Sequence, residues 1–133
     1  MDSSALTKLV IDEDHSSALE VTVRGRDLVS SRVAVVEVTK AVERNDPEAD
    51  PEPLLGQLSL IDLDPDLARI ASGTGGPALR ALDAIHVASA LRVAHELEAF
   101  VTYDSRQAAA AAAAGLRVLS PGADDPTQEA TAP

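Results

Sequence analysis

At 133 residues, with 45% apolar side chains and no cysteine, the chain has room for one domain with a real core and excludes a disulfide framework or a thiolate metal centre. The formal net charge of −11, from 11 Lys and Arg against 22 Asp and Glu, argues against broad electrostatic capture of a polyanion and for a basic partner. No basic segment leads into an apolar stretch at Met1, and no run approaches the roughly 18 apolar residues of a membrane span, so the expectation is a soluble, cytoplasmic protein with no membrane partner.

Ser3 or Ser4 is placed to start a helix through Ala5, Leu6, Leu9 and Val10, which the acidic run Asp12–Asp14 stops. A second helical stretch, SSALEVTVR, ends at Gly25. Leu28–Ser30 reads as a short strand, and Ser31 as the start of a helix through Val35, Val38, Ala41 and Val42, with Glu37 early on it. Residues 45–53 are a loop by their Pro and acid content, and Pro53 opens a short helix through Leu54, Leu55 and Leu58. Leu58–Leu63 suggests another strand, PDLARIAS a short helix, and STGGP a break.

From Leu79 to Leu97 small and branched apolar residues leave little polar surface, so this helix is expected to be central and buried on several sides. AFVTYD, SRQAAAAAAAG and LRVLSP follow as strand, helix and strand; a helical connection favours parallel pairing and an α/β sheet. The run Ala108–Ala114 is a packed helix stopped by Gly115, because alanine has the best helix propensity. Residues 1–121 form the expected domain. The tail 122–133, rich in Pro, Ala, Thr and acids, is expected to be disordered. Its acids, like those of DPEADPEP at 46–53, read as solvated charge.

Four acids stand in apolar surroundings: Asp2 at the start, Glu37 in VAVVEV, Asp83 in LRALDAIHVASAL and Asp104 closing AFVTYD. Isolated carboxylates there are costly unless they converge on a cation. With no thiolate available, oxygen ligands point to a hard ion such as Mg²⁺ or Mn²⁺. Four acids can hold one or two such ions and activate water for in-line attack on a phosphodiester. Asp2 and Asp104 have a rival role as helix caps, and Glu37 as a solvated helix residue. Asp83 lies in the first helical turn or beyond it, depending on whether Arg80 or Pro77 opens the helix.

His86, one turn beyond Asp83, is more readily a histidine bonded to an acid or to the helix than a ligand. His15 and His95 read as surface residues, and Lys8, Arg80 and Arg106 as surface or ion-pair groups able to touch phosphate. Phe100 and Tyr103 are the only large aromatics, and both fall in the expected core strand. RNA recognition would then come from phosphate contacts, shape or a dimer groove.

MDSSALTKLV at 1–10, VVEVTKA around Glu37, RALDAIHVASAL at 80–91 and VTYDSR at 101–106 together resemble the PIN-domain ribonucleases, and among them the VapC-type toxins of type II toxin–antitoxin pairs. The resemblance implies a three-layer α/β/α sandwich around a short, mostly parallel sheet. It further implies Mg²⁺-dependent endonucleolytic cleavage of single-stranded RNA, a homodimer, and an antitoxin partner with a basic segment. Asp2, Glu37, Asp83 and Asp104 match the family's acidic metal-site positions, and Ser4 the small hydroxyl residue that supports the first acid. Family members carry several apolar residues ahead of that acid, where this sequence has Met1 alone. The expectation is therefore a curtailed first strand and a loosely held Asp2.

Two other readings compete. One is a catalytically impaired PIN-like module that only binds a basic, antitoxin-like partner. The other is an aspartyl phosphatase with Asp2 as nucleophile, which Ser4 disfavours because it stands where such a motif would carry a second Asp.

Overall fold

The computed structural model describes residues 1–123. Its elements run α1 (Ser3–Val10), α2 (Ser16–Val23), β1 (Val29–Ser31), α3 (Val33–Asn45), α4 (Glu52–Leu55), β2 (Ser59–Ile61), α5 (Pro65–Ser72), α6 (Ala81–Arg92), β3 (Phe100–Val101), α7 (Ser105–Ala113) and β4 (Val118–Leu119). Short acids start three of the helices. Asp2 accepts from the Ala5 amide, Asp64 from that of Leu67, and Asp104 from those of Arg106 and Gln107. Each carboxylate satisfies amides that have no partner within the helix and sits at its electropositive end. Two hydrogen bonds from Arg92, together with the cap, hold the Asp64 carboxyl down at about 2.

β1 pairs with β2 and β3 with β4, both in parallel. Met1 and Asp2 join the two pairs. The Met1 nitrogen donates to the Val29 carbonyl at 2.9 Å and the Ser30 hydroxyl to the Met1 carbonyl at 2.6 Å, while the Asp2 amide donates to the Val101 carbonyl at 3.2 Å. The expectation of a loosely held first acid is overturned here. Asp2 is 0% exposed, because these bonds and its own cap tie it to both strand pairs.

Successive residues of a strand point to opposite faces, and β3 displays this plainly. Phe100 packs with Val87, Ala90 and Ala111 of α6 and α7, whereas Val101 packs with Ala5 and Leu19 of α1 and α2. α1 also buries Leu6 against Ala34, Val38 and Val42 of α3, and α6 buries Ala84 and Ala88 against Leu67 and Ala71 of α5. The result is the three-layer α/β/α arrangement, with α6 central as expected. No helix among the described residues is long and apolar enough to cross a membrane.

Several boundaries differ from expectation. The helix expected over Leu79–Leu97 is α6 followed by a 3₁₀ turn at Ala94–Glu96. Arg80 is extended, and Val93 departs from helical geometry with its amide bonded to Ala90, so the ladder tightens and ends. β1 lies one residue later than expected. Ser31 is therefore a strand residue, yet its hydroxyl accepts the amide of Val33, the first residue of α3, at 3.3 Å, and Arg32 adds no side-chain cap bond. β3 stops at Val101 because Thr102–Asp104 turn to cap α7. Ser120–Ala123 form a turn held to Thr102 by the Ser120 hydroxyl and to Tyr103 through the Pro121 carbonyl. The rest of the expected tail lies outside the described residues.

Candidate active site

The side chains around Asp2 are linked in a continuous chain of hydrogen bonds. Ser4 donates to the Asp2 carboxylate at 2.8 Å and Thr102 donates to its Oδ2 at 2.7 Å. The same Thr102 oxygen accepts the Asp104 amide at 3.0 Å. Asp104 Oδ1 accepts the amides of Arg106 and Gln107, and the Gln107 side chain reaches across to donate to Asp83 Oδ1 at 2.8 Å. Asp2, Asp104 and Asp83 are thus connected through Thr102 and Gln107, across β3, α7 and α6.

Glu37 joins from α3. Its carboxylate meets His86 Nε2 at 2.6 Å, the imidazole being 1% and the Glu37 side chain 24% exposed. The expected preference of His86 for an acid over a ligand role is what the geometry gives. Asp83 is half-buried in the first turn of α6, since the helix opens after Arg80. Burial, followed by repulsion from Asp104, pushes its carboxyl up from the ordinary value; repulsion from Glu37 adds to this, and Gln107 and His86 oppose it. Asp83 therefore feels Asp104 and Glu37, while Asp2 is tied in through hydrogen bonds alone.

Their oxygens divide into engaged and open. Asp2 has both oxygens hydrogen-bonded, whereas Asp83, Asp104 and Glu37 each use one, leaving Asp83 Oδ2, Asp104 Oδ2 and Glu37 Oε2 without a protein donor among the described residues. Gln107 Oε1 is buried and also lacks a partner there. All these atoms are hard oxygens, so the donor set fits a hard divalent cation. As the side chains stand, no group of three or more His, Asp or Glu among the described residues could hold a metal ion. Mg²⁺ requires no such group, because it keeps several waters and is commonly held by one or two carboxylates.

Thr102 and Gln107 were not foreseen, although each left a trace in the sequence. Gln107 is three residues past a capping Asp, where a Gln ordinarily turns back to the cap; here it bonds Asp83 instead. Thr102 is the polar residue in the apolar run AFV-T. Tyr103 differs from expectation: it lies beyond β3, half-buried, with Lys8 over its ring at 4.8 Å and His15 stacked on it at 5.7 Å. Lys8 pairs with Glu13 at 3.4 Å, His95 is exposed, and Arg80 and Arg106 are exposed at helix starts.

The PIN domain model matches residues 1–113. Among curated proteins the chain is 37% identical over 131 residues to Ribonuclease VapC47 of Mycobacterium tuberculosis (strain CDC 1551 / Oshkosh), covering 92% of this chain and 96% of that one. It is 37% identical over 124 residues to Ribonuclease VapC46 of the H37Rv strain (91% and 95% covered), and 36% over 129 residues to Ribonuclease VapC35 (92% and 96%). No solved structure gives a significant match. A family match that spans nearly all the described residues, together with relatives 36–37% identical over more than nine-tenths of the chain and a three-layer α/β/α fold, assigns the chain to the PIN-domain family.

Proposed function

We propose that this chain is a divalent-cation-dependent endoribonuclease and the toxin of a toxin–antitoxin pair, with one nuclease domain over residues 1–121. The observation that carries it is the hydrogen-bonded chain from Asp2 through Thr102, Asp104 and Gln107 to Asp83, with Glu37 electrostatically joined. Relatives named as VapC ribonucleases support the reaction class.

Asp83, Asp104 and Glu37 would hold Mg²⁺, or Mn²⁺ in its place, through their open oxygens, with Asp2 as the fixed negative anchor and Ser4 supporting it. When bound, the ion supplies positive charge against the charge that builds up on the phosphoryl oxygens. The protein's own contribution is positional. Thr102 sets Asp2 and Asp104 relative to one another, Gln107 sets Asp83, and His86 sets Glu37. Because these partners are themselves buried, the acids keep their orientation without an ordering cost at the moment of reaction. No covalent intermediate is required.

The net charge of −11 suits an antitoxin with a basic segment. Exposed Leu63, Ile70 and Leu82, within or beside α5 and α6, support a homodimer. The deciding measurement is cleavage of single-stranded RNA by the purified protein with Mg²⁺, with Mn²⁺ and with chelator. Asp83→Asn and Asp104→Asn are each expected to lower the rate by on the order of 100-fold or more while the circular dichroism spectrum is retained. Full activity in either variant overturns the site. Wild type that binds partner but cleaves nothing with either ion supports the impaired-module reading instead.

A further inference from the structure

An open groove of ≈ 540 Å³ lies between α1 and α3, with Tyr103 on its wall. Ser4 and Glu37 are among its lining residues, so the groove borders the acidic site. Along α3 the lining residues Val36, Lys40 and Arg44 repeat every four positions, beside the second row Glu37, Ala41 and Asn45. Residues four apart share a helix face. Lys40 and Arg44 therefore stand about 4.5 Å and 10.5 Å along the axis from Glu37, at about 1.5 Å per residue.

Charge is what singles this face out. The chain carries −11 overall, yet Lys8, Lys40 and Arg44 line this one groove. Lys8 is engaged by Glu13 and the Tyr103 ring, so it forms wall. Among the described residues Lys40 meets only Glu43, at 3.5 Å in a pair exposed to 65% on both sides, which water and salt weaken. Arg44 is exposed and has no ion-pair partner among the described residues. Two accessible cations in a row, leading to carboxylates, suit a polyanion whose one end reaches the acids with a cation between them.

We propose that the α1–α3 groove seats the phosphodiester backbone of single-stranded RNA, with Lys40 and Arg44 as the positioning residues that contact phosphates on one side of the cleaved bond. This rests on the ribonuclease reading and adds the strand's path to it. A basic antitoxin segment is the wrong occupant, since both exposed cations would repel it.

The test is fluorescence anisotropy of a labelled single-stranded RNA in chelator, which separates binding from cleavage. Wild type, Lys40→Glu/Arg44→Glu, and Arg24→Glu/Arg69→Glu as a charge-matched control at exposed positions outside the groove are compared across a salt series. The double variant is expected to bind at least about tenfold more weakly, with a salt slope shallower by about 1.4, or about 0.7 for each phosphate no longer neutralised; the control is expected to match wild type. In cleavage assays the double variant should raise KM while keeping kcat within about twofold, as when binding common to ground and transition states is removed. Equal RNA affinity in the double variant and wild type, no RNA binding by wild type, or an equal weakening in the control overturns the groove assignment. So does a double variant that keeps its RNA affinity but binds a lysine-rich peptide differently, which makes the groove a protein-docking site. An inactive wild type that nonetheless shows the expected binding pattern removes the nuclease reading and leaves the groove.

Discussion

A hydroxyl has one proton and two lone pairs, and Thr102 uses them in opposite directions. Its proton goes to Asp2, which as a carboxylate only accepts, so its lone pair is left for the Asp104 amide. Asp83 has no comparable donor beyond Gln107 and stands against two other acids. Its folded carboxyl is raised, so the charged form opposes folding: the associated stability is full below the ordinary value of 3.8 and is lost as pH rises through the folded value. At pH 7 Asp83→Asn is thus expected to raise the melting temperature of the ion-free protein, by about 1–3 °C, while it lowers cleavage. Differential scanning calorimetry in chelator checks this; an unchanged or lower melting temperature refutes the repulsion. Of the residues of the proposed site, the four acids stand out in the sequence because charge in an apolar run is conspicuous. Thr102 and Gln107 do not, because a polar side chain beside a cap has several local uses, and only the fold brings α7 against α6.

At the scale of elements, the starts of α1 and α5 were legible, at Ser3 or Ser4 and at Pro65, although at Asp64 the acid that caps the helix went unread. Helix ends were less so. The continuous apolar stretch Leu79–Leu97 hid the stop at Arg92, since neither Gly nor Pro marks it. β1 was foreseen at its full length but one residue early, and the other three strands were drawn too long, because strands of two or three residues carry almost no periodicity. The same composition that blurs these limits sets the packing of α5 on α6, where Ala71, Ala84 and Ala88 surround Leu67. Small side chains there leave no room for larger ones. Ala88, fully buried, is the sharpest case: Ala88→Leu is expected to cost about 1–3 kcal/mol by overpacking, read as a lower urea midpoint. An unaltered midpoint would show that the two helices can part without penalty.

Over the whole molecule, ion binding and folding are expected to be linked, because open oxygens on α3, α6 and α7 would share one ligand. Mg²⁺ at 100 times its dissociation constant should stabilise the native state by about 2.7 kcal/mol, seen as a melting temperature that rises with the logarithm of ion concentration. That dependence should be reduced in Asp104→Asn, and a dependence equal to wild type would place the ion elsewhere. The Met1–Asp2 seam gives this linkage a mechanical side. Among the described residues, Met1 and Asp2 bond to Val29 and Ser30 on one side and to Val101 and Thr102 on the other, and so button the two strand pairs together. Glu37 hangs from one half and Asp104 from the other, so a cation between them would act as a clasp, and its loss would let the book fall open at the spine before either page unravels.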